Sequence, residues 1–534
     1  MPIKMLNEIE QEITSFLSDL IRINTTNPPG NETAAAQFIA KYLAKEGFKT
    51  EIIESAPGRG SVVTRLAGSG EKPNLLLLSH LDVVAANPAE WSVNPFDGTV
   101  KDGYVYGRGA YDMKGMIAVE VLTLKMLKKN NIPLKGDVVF AGTADEEKGG
   151  EEGAGFLLRN HKEKVWCPYV LNEGGGLAVP QKKGNVYPIQ TAEKGILWFK
   201  VKAKGTPGHG SMPNIADNAI IRINKVINKI EEYQPEITYV PTLRQYLAEI
   251  AKINPDLEPY FSRLLANPKQ NEQILDELAK IDKALAEEIR PRTKTTITPT
   301  IIHGGIKENI IPSECEAVFD CRVLPGQSVE KTFSTIKNLL VDVGLDKLSF
   351  DVIQIHDGNE STTQTPLYGA ITSVLKEFEP GCGVTPALMT GGTDSRFFRE
   401  AGCVCYPRGA ARALRADQLQ RLPAQQPRLR RQTTALSGNQ GGLPRLCSRT
   451  PGQGHDAACA RCNREQGRSG AVARVAARLG RARSELRVPL QRCQQQPPRL
   501  STRSRWRSER PADLLDSRLP LRNLGFTTVA GAVP

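Results

Sequence analysis

The sequence predicts an α/β protein with a mainly parallel sheet between helices, interrupted by an inserted ferredoxin-like α+β domain. Short, nearly continuous apolar runs at residues 74–79, 137–142 and 168–171 read as strands buried on both faces, because a parallel sheet covered by helices lacks the alternation of a half-exposed strand. Between them lie helical stretches, such as residues 116–129, with apolar positions at helical spacing. Strand, helix, strand at this interval argues for an α/β domain. From Gly195 the pattern changes to strand (196–203), helix (217–233), strand (295–302), strand (316–324), helix (328–341) and strand (349–355). That β-α-β-β-α-β order is the ferredoxin-like one. A helical segment over 237–292, rich in Leu, Glu, Lys and Asn, interrupts it, and the first domain resumes near Ser361 with a helix at 367–379. The expected boundaries are 1–193 and 358–406 for the first domain, 194–357 for the insert, and 407–534 for a tail.

At 534 residues the chain is long enough for several cores, and it has no apolar run of membrane-spanning length. The mixed-charge N-terminus lacks a basic region followed by an apolar one, so a cytoplasmic protein is expected, with no membrane partner. The formal net charge of +12 hides two compositions. Residues 403–534 hold 25 Arg, no Lys and 7 acids, a net of +18, whereas residues 1–402 hold 45 basic and 51 acidic residues, a net of −6. Three readings of the tail compete: a nucleic-acid arm, a disordered linker, or out-of-frame translation of GC-rich codons. The tail lacks RGG or RS repeats, and only Trp506 and Phe526 after Tyr406 could stack on bases, which disfavours nucleic acid. Out-of-frame translation accounts for Arg, Ala, Pro, Gly and Gln with no Lys and no Ile. Cys459-Ala-Arg-Cys462 has zinc-knuckle spacing without a second half.

Chemistry concentrates where the apolar runs end. The first ends in His80-Leu81-Asp82, the second in Asp145-Glu146-Glu147, the third in Asn172-Glu173. In open parallel sheets ligands bind at the carboxyl ends of strands, so these runs deliver His, paired Glu and Glu to one edge. A further acid, Asp112, sits in the glycine-rich turn Gly107-Arg-Gly-Ala-Tyr-Asp-Met-Lys-Gly115. Any one of these residues alone would more often be structural; their convergence is that of a metal centre. Imidazole and carboxylate are zinc donors, and a carboxylate can bridge two ions. In an extended segment the side chains of His80 and Asp82 point the same way, so Asp82 can orient the imidazole. Of the adjacent Glu146 and Glu147, one should hold metal and the other act as general base.

These segments, with Gly205-Thr-Pro-Gly-His-Gly-Ser211 and Gly391-Gly-Thr-Asp-Ser-Arg396, resemble the di-zinc metallopeptidase family of aminoacylase, acetylornithine deacetylase, succinyl-diaminopimelate desuccinylase and glutamate carboxypeptidase (clan MH). The resemblance runs from about Leu20 to about Tyr406, and implies a phosphorylase/hydrolase-like catalytic domain with a lid. It implies two Zn2+ ions, with Co2+ or Mn2+ as substitutes. Asp112 would bridge them, His80 and Glu173 would sit on one, and Glu147 on the other. Glu146 becomes the general base and Asp82 the orienter of His80. His209 becomes an oxyanion donor reaching a neighbouring subunit through a lid-mediated homodimer, and Asn309 a substrate contact. Arg396, whose fork of donors suits a carboxylate, is the candidate clamp. The implied reaction is hydrolysis of an amide or peptide bond next to a free carboxylate, in an N-acyl-amino acid or short peptide. A biosynthetic deacylase and a catalytically impaired homologue are the alternatives.

The impaired reading has its own evidence. The resemblance calls for one more metal histidine beyond the Gly-Thr-Asp run, usually followed by Asn-Glu. This chain has no histidine between His356 and His455, and Gly-His455-Asp-Ala is a different motif. Reading the DNA around codons 400–410 in the other two frames should therefore recover a His-x-x-Asn-Glu-like stretch. Its absence from both frames would remove the out-of-frame account.

Overall fold

The structure, a computed structural model, describes residues 3–175 and 178–407. The segment beyond Pro407, with Cys459, Cys462 and His455, lies outside the described residues.

The mainly parallel sheet is present. Its strands are Thr50–Glu54, Gly60–Leu66, Val138–Thr143, Leu75–His80, Tyr169–Asn172 and Val404–Pro407, side by side in that order. Leu75–His80 runs parallel to both neighbours, and Tyr169–Asn172 parallel to Val404–Pro407, while the first two strands add an antiparallel edge. Every residue of Val138–Thr143 is buried, as its unbroken apolar run requires. One face packs Leu77 and Phe140 against Leu20, Ile39, Ile117 and Val121 of three helices, Ile3–Arg22, Glu32–Lys45 and Lys114–Lys129. The other packs Leu76, Leu78, Val139 and Val170 against Leu157 and Phe398. Register aligns His80 with Thr143, so neighbouring strands end at one level and release their acidic turns into the same space.

The ferredoxin-like insert is present too. Strands Thr296–Gly304, Glu314–Val323, Gly195–Lys204 and Leu348–His356 form an antiparallel sheet in that order. Burial alternates along Glu314–Val323, because helices Ala219–Glu232 and Val329–Leu339 cover one face only, through Ile223, Val226 and Ile336 on Phe199 and Phe319. The helical segment, Pro241–Ile253, Glu258–Ala266, Asn271–Ala279 and Lys283–Ile289, packs elsewhere. Its Leu243, Leu247 and Ile250 join Val186, Ala192, Ala387 and Leu388 in one core. Those partners belong to Gly184–Glu193 and Gly383–Met389, a parallel pair outside the ferredoxin-like sheet.

The chain enters and leaves the insert where Gly195 meets Gly358. A Cβ on Gly195 would stand 2.6 Å from the Gly358 nitrogen, so the two crossings touch backbone to backbone. Lys194, 1% exposed, donates from Nζ to the Lys294 carbonyl at 2.7 Å. Burial pushes its pKa down to about 7, with Arg322, Lys294 and Arg292 adding repulsion. Above that pH the folded chain has released a proton that the unfolded chain still binds, so this residue makes stability rise with pH until the unfolded lysine itself titrates. Wild type should gain up to about 1.4 kcal/mol per pH unit over Lys194→Met in that window. Thermal melting of both chains across a pH series checks this, and a constant gap would contradict it.

Candidate metal centre

His80 is the last residue of its strand, 1% exposed, with its backbone N–H on Met113 Sδ. Its Nδ1 lies 3.0 Å from the Asp82 carbonyl and 3.4 Å from Asp82 Oδ1. Those acceptors favour a proton on Nδ1 and leave Nε2 to face the acids. Nε2 stands 3.0 Å from Asp112 Oδ1 and 3.5 Å from Glu173 Oε2. One donor atom from each of His80, Asp112 and Glu173 lies within 4.8 Å of the other two. Asp112, the most open of the three with 39% side-chain exposure, comes from the glycine-rich turn before helix Lys114–Lys129.

Asp82, fully buried, also receives the backbone N–H groups of Glu146 and Glu147, each at 3.1 Å. One carboxylate therefore orients the imidazole and clamps the turn that carries both glutamates. Burial alone would raise the pKa of Asp82, but the bonds from His80, Asn27 and Glu147 hold it below the usual carboxylate range. Glu146 goes the other way. Burial, then the charges of Glu173, Asp394 and Glu147, outweigh His80 and push its pKa well above that range. Glu147 is pushed up to about 7, chiefly by burial and by Asp112, Asp82 and Glu173. His80 keeps its proton far more tightly than an ordinary histidine despite burial, because Glu173, Asp112 and Asp82 surround it. Such an excess of buried negative charge around one imidazole, with oxygen and nitrogen donors converging, suits a divalent cation. A candidate metal site is thus present.

The structure brings His80, Asp82, Asp112, Glu146, Glu147 and Glu173 together. His209 and Asn309 lie together elsewhere, on a two-residue ribbon of the insert where Gly208–His209 pairs with Ile310–Ile311. Both are exposed. His209 Nδ1 is bonded to Ser211 Oγ at 2.8 Å, and the Asn309 carbonyl accepts the Gly210 N–H. Neither residue contacts the cluster among the described residues. Arg396 is 5% exposed, donates to the Gly149 carbonyl and lies over the Phe397 ring. Its guanidinium thus ties the end of the Glu146-Glu147 turn to the Gly391–Arg396 loop.

The aspartate of the Gly391-Gly-Thr-Asp-Ser-Arg396 run is not marked as a site residue by its sequence position alone. Asp394 is 2% exposed and accepts from Thr143 Oγ1 at 2.8 Å, while its buried Oδ1 has no hydrogen-bond partner among the described residues. Burial first, and then Asp82, raise its pKa to about 7. Gly150, at φ +66, leaves room for it: a Cβ there would fall 2.2 Å from Asp394 Oδ1. Only the folded chain reveals that residue 394 reaches the turn of residue 146.

The description "Peptidase family M20/M25/M40" matches residues 76–414. A probable succinyl-diaminopimelate desuccinylase of Staphylococcus aureus is 30% identical over 390 residues, covering 73% of this chain and 88% of that protein. Aminoacylase-1 of Sus scrofa is 27% identical over 403 residues, covering 74% and 86%. In fold, the chain is similar to an M20 family metallo-carboxypeptidase, Sso-CP2 from Sulfolobus solfataricus, with a TM-score of 0.57 at 19% identity over 74% of this chain and 90% of that one. No helix among the described residues is long and apolar enough to cross a membrane. With residues 76–414 matched and the relatives covered over most of their length, the chain belongs to peptidase family M20/M25/M40, hydrolases of peptide or amide bonds.

Proposed function

We propose that the chain is built to hydrolyse an amide or peptide bond next to a free carboxylate, in an N-acyl-amino acid or a short peptide. The observation that carries this reading is the junction of the His80, Asp112 and Glu173 donors with the Glu146-Glu147 turn through a single carboxylate, Asp82. Two Zn2+ ions are the proposed metals, with Co2+ or Mn2+ as substitutes. His80 and Glu173 would hold one, Glu147 the other, and Asp112 both. When bound, zinc supplies a Lewis acid for the scissile carbonyl and lowers the pKa of a bound water.

The chain's own residues do the rest. Glu146, as the carboxylate, takes the proton of the attacking water and returns it to the leaving nitrogen. Asp82 keeps His80 in one tautomer and holds the turn that aims Glu146. His209 and Asn309 act as a pair from the exposed ribbon of the insert, and His209 Nε2, without a partner among the described residues, donates to the developing oxyanion. Its exposure suits delivery to a second subunit's centre, hence a homodimer through the lid. Arg396 recognises the substrate carboxylate beside the Gly149 turn. All six described cysteines are free thiols, which suits a reducing compartment such as the cytoplasm.

A second reading is favoured by one observation. No histidine lies between His356 and His455, so the Glu147 side of the centre has only carboxylate donors among the described residues. On that reading the chain is a catalytically impaired homologue.

Metal analysis of the dialysed full-length chain separates the two: about two zincs per chain are expected for the intact enzyme, and one or none for the impaired homologue. Glu146→Gln should lower kcat on N-acyl-amino acids by about 10²–10⁴-fold while leaving metal content unchanged. Retained activity in this variant would remove the general-base role.

A further inference from the structure

We infer that Arg59 and Asn27 are positioning residues for the metal centre, holding Asp82 and Asp145 so that His80 and the Glu146-Glu147 turn keep their places. The inference rests on the hydrolase reading above. Neither residue is among the metal donors, so both act through the two aspartates.

Glu32, Asp82 and Asp145 are all buried in one network. Arg59, itself 7% exposed, is ion-paired through Nη2 to Asp145 Oδ1 at 2.5 Å and to Glu32 Oε1 at 3.2 Å. Its Nη1 donates to the Pro29 carbonyl at 2.8 Å and to Asn27 Oδ1 at 3.1 Å. That last bond decides the orientation of an amide. With its oxygen taken by Arg59, Asn27 must present Nδ2 to the acids, and it donates to Asp82 Oδ2 at 2.8 Å and to Asp145 Oδ1 at 3.2 Å. A flipped amide would set its oxygen against two carboxylates and its donors against a guanidinium.

Asp82 passes the constraint on. Its oxygens accept Glu146 N–H and Glu147 N–H and lie beside His80 Nδ1. Asp145 opens the same turn at φ +72, a left-handed conformation that a non-glycine residue keeps only when its surroundings over-determine it. Arg59, Asn27 and the Glu152 N–H supply three contacts to its carboxylate. For stability alone, well-packed apolar side chains would often serve as well as this buried ionic group. What the ionic group adds is direction: each oxygen of Asp82 has an assigned donor.

The test uses hydrogen–deuterium exchange of the full-length, metal-free chain, with peptides covering residues 144–150 and 138–143. Asn27→Ala removes the link to Asp82 and leaves the Arg59–Asp145 pair. It should speed exchange at Glu146 and Glu147 by about tenfold without changing the strand Val138–Thr143. Arg59→Met should do the same more strongly. Both variants should bind Co2+ about 10–100-fold more weakly than wild type. Unchanged exchange in residues 144–150, or a loss spread equally over the strand, would overturn the proposal. A chain that shows the localised pattern but hydrolyses no amide would keep the positioning role and remove the hydrolase reading.

Discussion

Six carboxylates gather around one buried imidazole at the end of a parallel sheet, and their mutual repulsion is the constraint the site depends on. Left in water these groups would be ionised and apart. Three neighbouring strands release the turns that carry Asp82, Glu146, Glu147 and Glu173 at one edge, and the turn before helix Lys114–Lys129 and the segment before Ser395 add Asp112 and Asp394. Such a cluster persists only if positive charge or fixed donors compensate it. The donors are visible: backbone N–H groups for Asp82, Thr143 for Asp394, His80 for Asp112 and Glu173. The remaining excess is what makes the place suited to a divalent cation.

Compensation is arranged in two directions. On the domain side, Arg59 ion-pairs with Glu32 and Asp145, and Asn27 orders the lone pairs of Asp82. On the loop side, Arg396 binds the Gly149 carbonyl and lowers the cost of the buried Asp394. The Glu146-Glu147 turn is held between them. A turn held at both ends keeps its two carboxyl groups in place.

The insert adjoins this site through its strands: a Cβ on Gly149 would meet Gln354, and one on Gly392 would meet Ile196 and His356. Its chain crossings meet at Gly195 and Gly358, and the buried Lys194 donates to the Lys294 carbonyl just before strand Thr296–Gly304. The helices Pro241–Ile253 and Asn271–Ala279, though carried by the insert's sequence, add their core to strands outside its sheet. They anchor the base of the insert, while His209 and Asn309 stand exposed on its ribbon.

Local chemistry was enough to read much of this chain. Unbroken apolar runs announced buried parallel strands, and His80-x-Asp82, Asp112, the Glu pair and Glu173 stood where such strands end, because strand period and sheet topology convert sequence position directly into place. The β-α-β-β-α-β order likewise survives folding unchanged. What sequence position could not supply were contacts between distant segments. Asp394 reaching the Glu146 turn, Arg59 orienting Asn27, and the helical segment joining a sheet outside its own domain each join residues far apart in the chain. These are packing outcomes, set by which buried charge finds a partner and which apolar face finds cover, and only the tertiary structure decides them.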